Sequence, residues 1–208
     1  MVRARRRSVI SAKAHQIILR KGEAPTHIYT LHDGWAYRAV HLDDGRRQIL
    51  SFALPGDVFC LETMRLPEYR LPYAMHALTQ VTLCAFDVGG MRELLSSPEA
   101  QFRVAVECQR QSALLERRLV DIGRRRAVGR LARLVLDLES LLKARGLASG
   151  EDFDFPLRRE DVADALGLTS EHVSRTLVAM KSTGVLDVHQ GRAYILDREQ
   201  LDHIATVE

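Results

Sequence analysis

Glu171, Ser174 and Arg175 lie in the stretch GLTSEHVSRTLVAMKSTGVL, residues 167–186, at spacing i, i+3 and i+4. On a helix that spacing puts a carboxylate, a hydroxyl and a guanidinium on one face. Together they make a set able to read base edges in a major groove. An arginine donates two parallel hydrogen bonds to O6 and N7 of guanine. A glutamate accepts from the exocyclic amine of cytosine, and a small serine donates, accepts or lies beside a thymine methyl. The competing reading is an exposed i,i+4 ion pair worth a few tenths of a kcal/mol.

The surrounding residues favour the first reading. Residues 159–180 match a helix-turn-helix template. Ala163 is small where two helices approach, and Gly167 stands where the turn needs positive φ. Val162, Leu166, Leu168, Val173 and Leu177 supply a shared core. Thr169 or Ser170 can cap the second helix, with Ser170 or Glu171 in its first turn. The N-terminal part of such a helix enters the groove. Downstream, VLDV, HQGR and AYIL predict a two-stranded wing turning at Gly191. Thr169, Ser170, Lys181 and Arg192 are the expected contacts to the DNA backbone.

Upstream elements must position this face. Residues 14–90 alternate short apolar runs with turn signals, KGEAP, HDG, LDDG and LPGD. Asp44-Gly45 between WAYRAVHL and RRQILSFAL predicts a tight hairpin. Several short strands at this spacing predict a sandwich or barrel-like roll. At Ser97-Pro98-Glu99 a helix starts. Within it Ala105, Cys108, Ser112, Leu115, Leu119 and Ile122 step by 3, 4, 3, 4, 3, an a/d seam suited to a two-helix dimer. Gly123 is expected to interrupt that helix as a hinge, and a second helix follows from about Arg124 to Arg145. A short strand then carries Phe153 and Phe155. The expected domains are a β-roll sensor over 1–96, a dimerisation helix and hinge over 97–123, and a winged helix-turn-helix over 124–208. The fold class is α+β.

Composition sets outer bounds. The 208 residues are 46% hydrophobic, enough for one or two cored domains. No apolar run is long enough to span a bilayer, and no signal-peptide core follows the basic start, so a cytoplasmic protein without membrane association is expected. Cys60, Cys84 and Cys108 form no C-x-x-C pair and read as free thiols, with no metal site expected. Net charge is only +3, and residues 151–208 hold six basic against twelve acidic residues. DNA binding therefore has to rest on placement of charge more than on its bulk. A cupin-like metal enzyme would need spaced histidines that are not present, and no nucleophile–base pair or phosphate loop is found, so no enzyme is expected.

The whole chain resembles the Crp/Fnr family of bacterial transcription regulators. The resemblance runs from HIYTLHDGWAYRAVHLDDGRRQILSFALPGDVF through the long helix to LRREDVADALGLTSEHVSRTLVAMKSTGVLDV. Its E-H-V-S-R looks like the Glu-x-x-Ser-Arg signature of the Fnr and FixK branch. The resemblance implies an N-terminal antiparallel β-roll of the cyclic-nucleotide-binding type. It also implies a homodimer on double-stranded DNA that reads an inverted repeat similar to TTGAT-N4-ATCAA and, as an activator, recruits RNA polymerase. Two recognition helices would then sit one DNA turn apart, roughly 34 Å.

Departures from the family pattern bear on control. Where cyclic-nucleotide-binding members carry an Arg-Ser or Arg-Thr pair before an alanine, this chain reads Leu71-Pro72-Tyr73-Ala74, and the adenine-contacting pair of the long helix reads Leu115-Glu116. Both argue against cAMP. The absence of any cysteine before Cys60 argues against an Fnr-type iron–sulfur cluster. DVFCLET resembles the region where a carbon-monoxide sensor of the family places a cysteine ligand. Cys60 is therefore the candidate for a haem or redox alternative, with Glu62 in place of that sensor's histidine and His27, His32, His41 and His76 as further possible ligands. No cofactor is otherwise expected.

Overall fold

A computed structural model describes residues 7–64, 66 and 68–207. Its contacts divide the chain into two units, Met1–Leu115 and Glu116–Glu208, with the boundary inside one long helix.

Among the described residues, the first unit is a roll of eight strands: β1 (Arg7–Ala12), β2 (Ile17–Leu19), β3 (Ile28–Asp33), β4 (Ala36–His41), β5 (Arg47–Ala53), β6 (Val58–Phe59), β7 (Ala74–Ala77) and β8 (Val81–Phe86). They form two four-stranded sheets with orders β1-β8-β3-β6 and β2-β7-β4-β5, in which every pairing is antiparallel. Alternation decides which face is buried. Tyr29, Leu31, Met75, Val81 and Leu83 join Leu19, Phe59, Cys60, Leu71 and Tyr73 in one apolar core. The expected hairpin is present as β4–β5, with Gly45 at φ +84 in its turn.

Helix α1 (Val88–Leu94) follows, and Asp87 caps it by accepting from Gly90 N. Helix α2 (Pro98–Arg124) begins where Ser97 Oγ accepts from Ala100 N. Near its middle Arg110 pairs with Glu107 and faces the buried Asp57 at 3.8 Å, tying this helix to the β5–β6 turn. The helix does not stop at Gly123. It runs on to Arg124, because a glycine inside a helix costs about 1 kcal/mol without ending it. The break falls at Arg125-Arg126, where Arg126 adopts extended φ/ψ as the N-cap of α3 (Ala127–Ala144).

In the second unit α3 is followed by β9 (Asp152–Asp154), α4 (Arg159–Leu166), α5 (Ser170–Ser182), β10 (Leu186–His189), β11 (Arg192–Ile195) and α6 (Arg198–Val207). The wing expected as two strands is a three-stranded sheet, order β10-β11-β9, because Asp152–Asp154 adds to the free edge of β11. Its core gathers Leu131, Val135, Leu138, Phe153, Phe155, Leu186 and Leu201, with Phe153 and Phe155 edge to face at 6.1 Å.

Candidate nucleic-acid interface

Helices α4 and α5 are joined by a tight turn at Gly167, whose φ of +64 and ψ of +42 give the left-handed cap that glycine takes without steric cost. Its N–H and that of Leu168 both return to Ala163 O. Asp161, buried at the third position of α4, accepts from Arg158 N at 3.0 Å and fixes the start of that helix. Thr169 is the N-cap of α5, accepting from His172 N at 3.2 Å. Of the two capping residues the sequence left open, threonine takes the role, and Ser170 begins the helix.

Val173, Leu177 and Met180 bury the inner face of α5. The 3.6-residue repeat then turns Glu171, Ser174, Arg175 and Val178 outward. Among the described residues, the side chains of Glu171 and Arg175 have no hydrogen bond or ion pair to each other or to any other group. The i,i+4 ion pair that competes with base reading does not form. Ser174 is half-buried, and its hydroxyl donates to Ser170 O at 2.9 Å. Its proton is therefore spent within the helix, and only acceptor capacity faces outward.

Ser170, Glu171, Ser174 and Arg175 line one side of an open hollow of about 690 Å³, whose other wall is Arg158, Arg159 and Glu160 at the start of α4. Sequence reading overlooked the two arginines. The signal was present as a dibasic step directly before a helix, where a template would place groove-edge contacts. Of the other expected contact residues, Lys181 pairs with Asp187 at 2.8 Å, and this bond is the largest cause holding the Asp187 carboxyl below its usual range. Arg192 donates to Asp152 and Asp154. Both cations already have carboxylate partners.

The arginines leading into and along α3 are also committed. Arg130 donates to Leu166 O at 3.0 Å, Arg125 to Thr206 O at 3.0 Å, and Arg133 to Ala205 O. They cap the carbonyl ends of α4 and α6, where a helix leaves acceptors unsatisfied and favours positive charge. This use of arginine explains how a basic stretch coexists with a helix-turn-helix that carries little free positive charge.

The remaining expected positions lie in the first unit or on α2. Ala105, Cys108, Ser112, Leu115, Leu119 and Ile122 are all exposed on the single chain. Cys60 is 2% exposed in the roll core and has φ +64. Its thiol is pushed up to about 12, chiefly by burial, with Glu62 and Glu23 adding and Arg38 opposing. Among the described residues no group of three or more metal-ligating side chains comes together, and no helix is long and apolar enough to cross a membrane.

Residues 9–97 match the cyclic nucleotide-binding domain family, and residues 129–204 match the Crp-like helix-turn-helix domain family. The chain is 30% identical over 186 residues to the nitrogen fixation regulation protein FixK of Rhizobium meliloti, covering 89% of this chain and 81% of that protein. It is 29% identical over 191 residues to the transcriptional activatory protein AadR of Rhodopseudomonas palustris, covering 91% and 78%. The solved structure of FixK2 from Bradyrhizobium japonicum superposes with a TM-score of 0.82 at 25% identity, over 97% of this chain and 98% of that one.

Proposed function

Because this chain belongs to the Crp/Fnr family of transcription regulators, we propose that it acts as a cytoplasmic homodimer that reads an inverted repeat of the TTGAT-N4-ATCAA type and activates transcription by recruiting RNA polymerase. The observation that carries the reading is the pair of uncommitted side chains, Glu171 and Arg175, on the outer face of α5. Arg175 donates twice to a guanine, and Glu171 accepts from a cytosine amine. Ser174 acts as an acceptor, since its proton is held by Ser170 O. Thr169 and Ser170 approach the phosphates at the start of α5. Lys181 and Arg192 reach them by exchanging Asp187, Asp152 and Asp154 for phosphate oxygens. The two copies meet along the exposed seam from Ala105 to Ile122.

The roll interior counts against control by a cyclic nucleotide. Leu71 and Tyr73 pack into its core, so the 71–74 stretch offers no charged donor for a phosphate. The guanidinium of Arg38 is committed to the Tyr73 ring and to Ser51 Oγ. Burial and a protonated thiol at Cys60 count against a haem or redox role for that residue.

Titration of the full chain against a TTGAT-type duplex tests the reading. Arg175→Ala is expected to weaken binding by about 1–3 kcal/mol, and cAMP is expected to leave the wild-type affinity unchanged. Full affinity in Arg175→Ala would refute the base-reading role. A micromolar response to cAMP would refute the account of the roll.

A further inference from the structure

The outer face of α5 holds one large apolar side chain that neither the core nor the polar readout set explains. Val178 is 69% exposed, while the core side of the helix is filled by Val173, Leu177 and Met180. It lies seven residues after Glu171, which brings it back to within about 20° of the same direction. It also lies four residues after Ser174 and three after Arg175, so it is a surface neighbour of both. Val178 is therefore at the centre of the face that Glu171, Ser174 and Arg175 define, about 10 Å further along the axis than Glu171.

We propose that Val178 is a fourth specificity-determining residue, one that reads the C5 methyl of a thymine in each half-site. The inference rests on α5 being the groove-facing helix. A valine pressed into a groove gains only where it meets an apolar group, since a polar base edge or a phosphate facing it would lose water without a partner. In the major groove the bases present one apolar group, the thymine methyl. Ser174 is the weaker candidate for that contact, because it is half-buried and its hydroxyl is bonded back to Ser170 O. A β-branched residue is also stiff about χ1 in a helix, so its two methyls are presented without loss of rotamer freedom on binding.

The experiment is a set of titrations with duplexes in which each thymine of the half-site, and each thymine opposite an adenine, is replaced in turn by deoxyuridine, symmetrically in both halves. Deoxyuridine lacks only the methyl. One position is expected to weaken the wild type by about fourfold per half-site, the factor for one buried methyl-sized group. Val178→Ala should bind the all-thymine duplex more weakly by a similar factor and should no longer distinguish thymine from deoxyuridine there. Val178→Thr, which keeps one methyl, should fall between. A wild type indifferent to every replacement would overturn the proposal, as would a Val178→Ala that keeps the full discrimination. Binding of the unmodified duplex by wild type, and its weakening in Arg175→Ala, check the parent reading in the same series. If wild type does not bind that duplex, both fall. If it binds but ignores the methyls, only the role of Val178 falls.

Discussion

Arg192 Nε donates to Asp152 Oδ2 at 3.0 Å, across the strand pair that joins the wing to the segment before the helix-turn-helix, and the same guanidinium also pairs with Asp154. The wing arginine proposed to meet the DNA backbone is thus masked by two carboxylates. Asp152→Asn combined with Asp154→Asn should unmask it. Binding to non-specific duplex should tighten, and the slope of log K against log salt should steepen by about one. Adding Arg192→Ala should reverse the gain. A triple variant that keeps it would show that the lost negative charge, and not Arg192, was responsible.

Two glycines at nearly the same φ should respond very differently to a methyl group. Gly34 and Gly45 stand at +81 and +84. A Cβ on Gly45 meets nothing within 4 Å, whereas a Cβ on Gly34 would lie 2.0 Å from Gln80 O, a backbone atom. Gly45→Ala should therefore cost about 1–2 kcal/mol, the ordinary penalty of left-handed backbone. Gly34→Ala should exceed about 3 kcal/mol, because the β7–β8 connection must move. Urea denaturation of the two variants checks the difference, and equal midpoints would contradict it.

Alkaline pH should loosen the roll through Cys60. The folded protein holds this thiol proton up to about 12, from an ordinary 9.0. Between those values the folded state binds more protons than the unfolded state, so stability falls as pH rises. It is fully present below about pH 9 and lost toward 12. Burial also raises Tyr29 and Tyr73, which contribute in the same direction. Cys60→Ala should flatten the decline without abolishing it. Iodoacetamide at pH 8 should leave Cys60 unmodified in the native protein and modify it in urea. Rapid native labelling would contradict the account.

The dimer seam can be tested at Leu119. Leu119 is 76% exposed on the single chain, and Leu115, Val120 and Ile122 are exposed near it. Leu119→Glu puts a charge into the proposed interface, where desolvating it without a partner is costly. Light scattering should then report a monomer, and affinity for the inverted repeat should drop at least tenfold as the half-sites are no longer bound together. A dimer that persists unchanged would place the interface elsewhere.

The elements set by local chemistry were readable from sequence alone. Asp44-Gly45 announced the β4–β5 hairpin, Ser97-Pro98 announced the start of α2, and Ala163 with Gly167 announced the α4–α5 turn. Helix α1 escaped because Gly89 and Gly90 lower its intrinsic propensity, and only the Asp87 cap and the roll beside it hold it. The short strand at Phe153 was legible, but its place as a third wing strand was not, because β9 is three residues long and its partner lies forty positions away. The end of α2 was misplaced because glycine was read as a stop. At the site, the residue types of the proposed readout face were legible, but their state was not. Whether Glu171 and Arg175 pair, where the Ser174 proton goes, and which carboxylates hold Lys181 and Arg192 are outcomes of three-dimensional competition that spacing does not encode.

The pairing of β9 with β11 bears on how this protein can be cut and recombined. Phe155 N donates to Gly191 O, and Ile195 N donates to Glu151 O, so the wing is stitched to residues upstream of α4. A transplanted recognition module that starts at Arg159 would leave the edge of β11 bare and expose the apolar surface that Phe153 and Phe155 cover. It would also lack α3, and with it the Arg130 that caps the end of α4. The smallest portable piece therefore begins before Ala127, and exchanges of DNA specificity between relatives are best made by replacing side chains on α5 within an intact second unit.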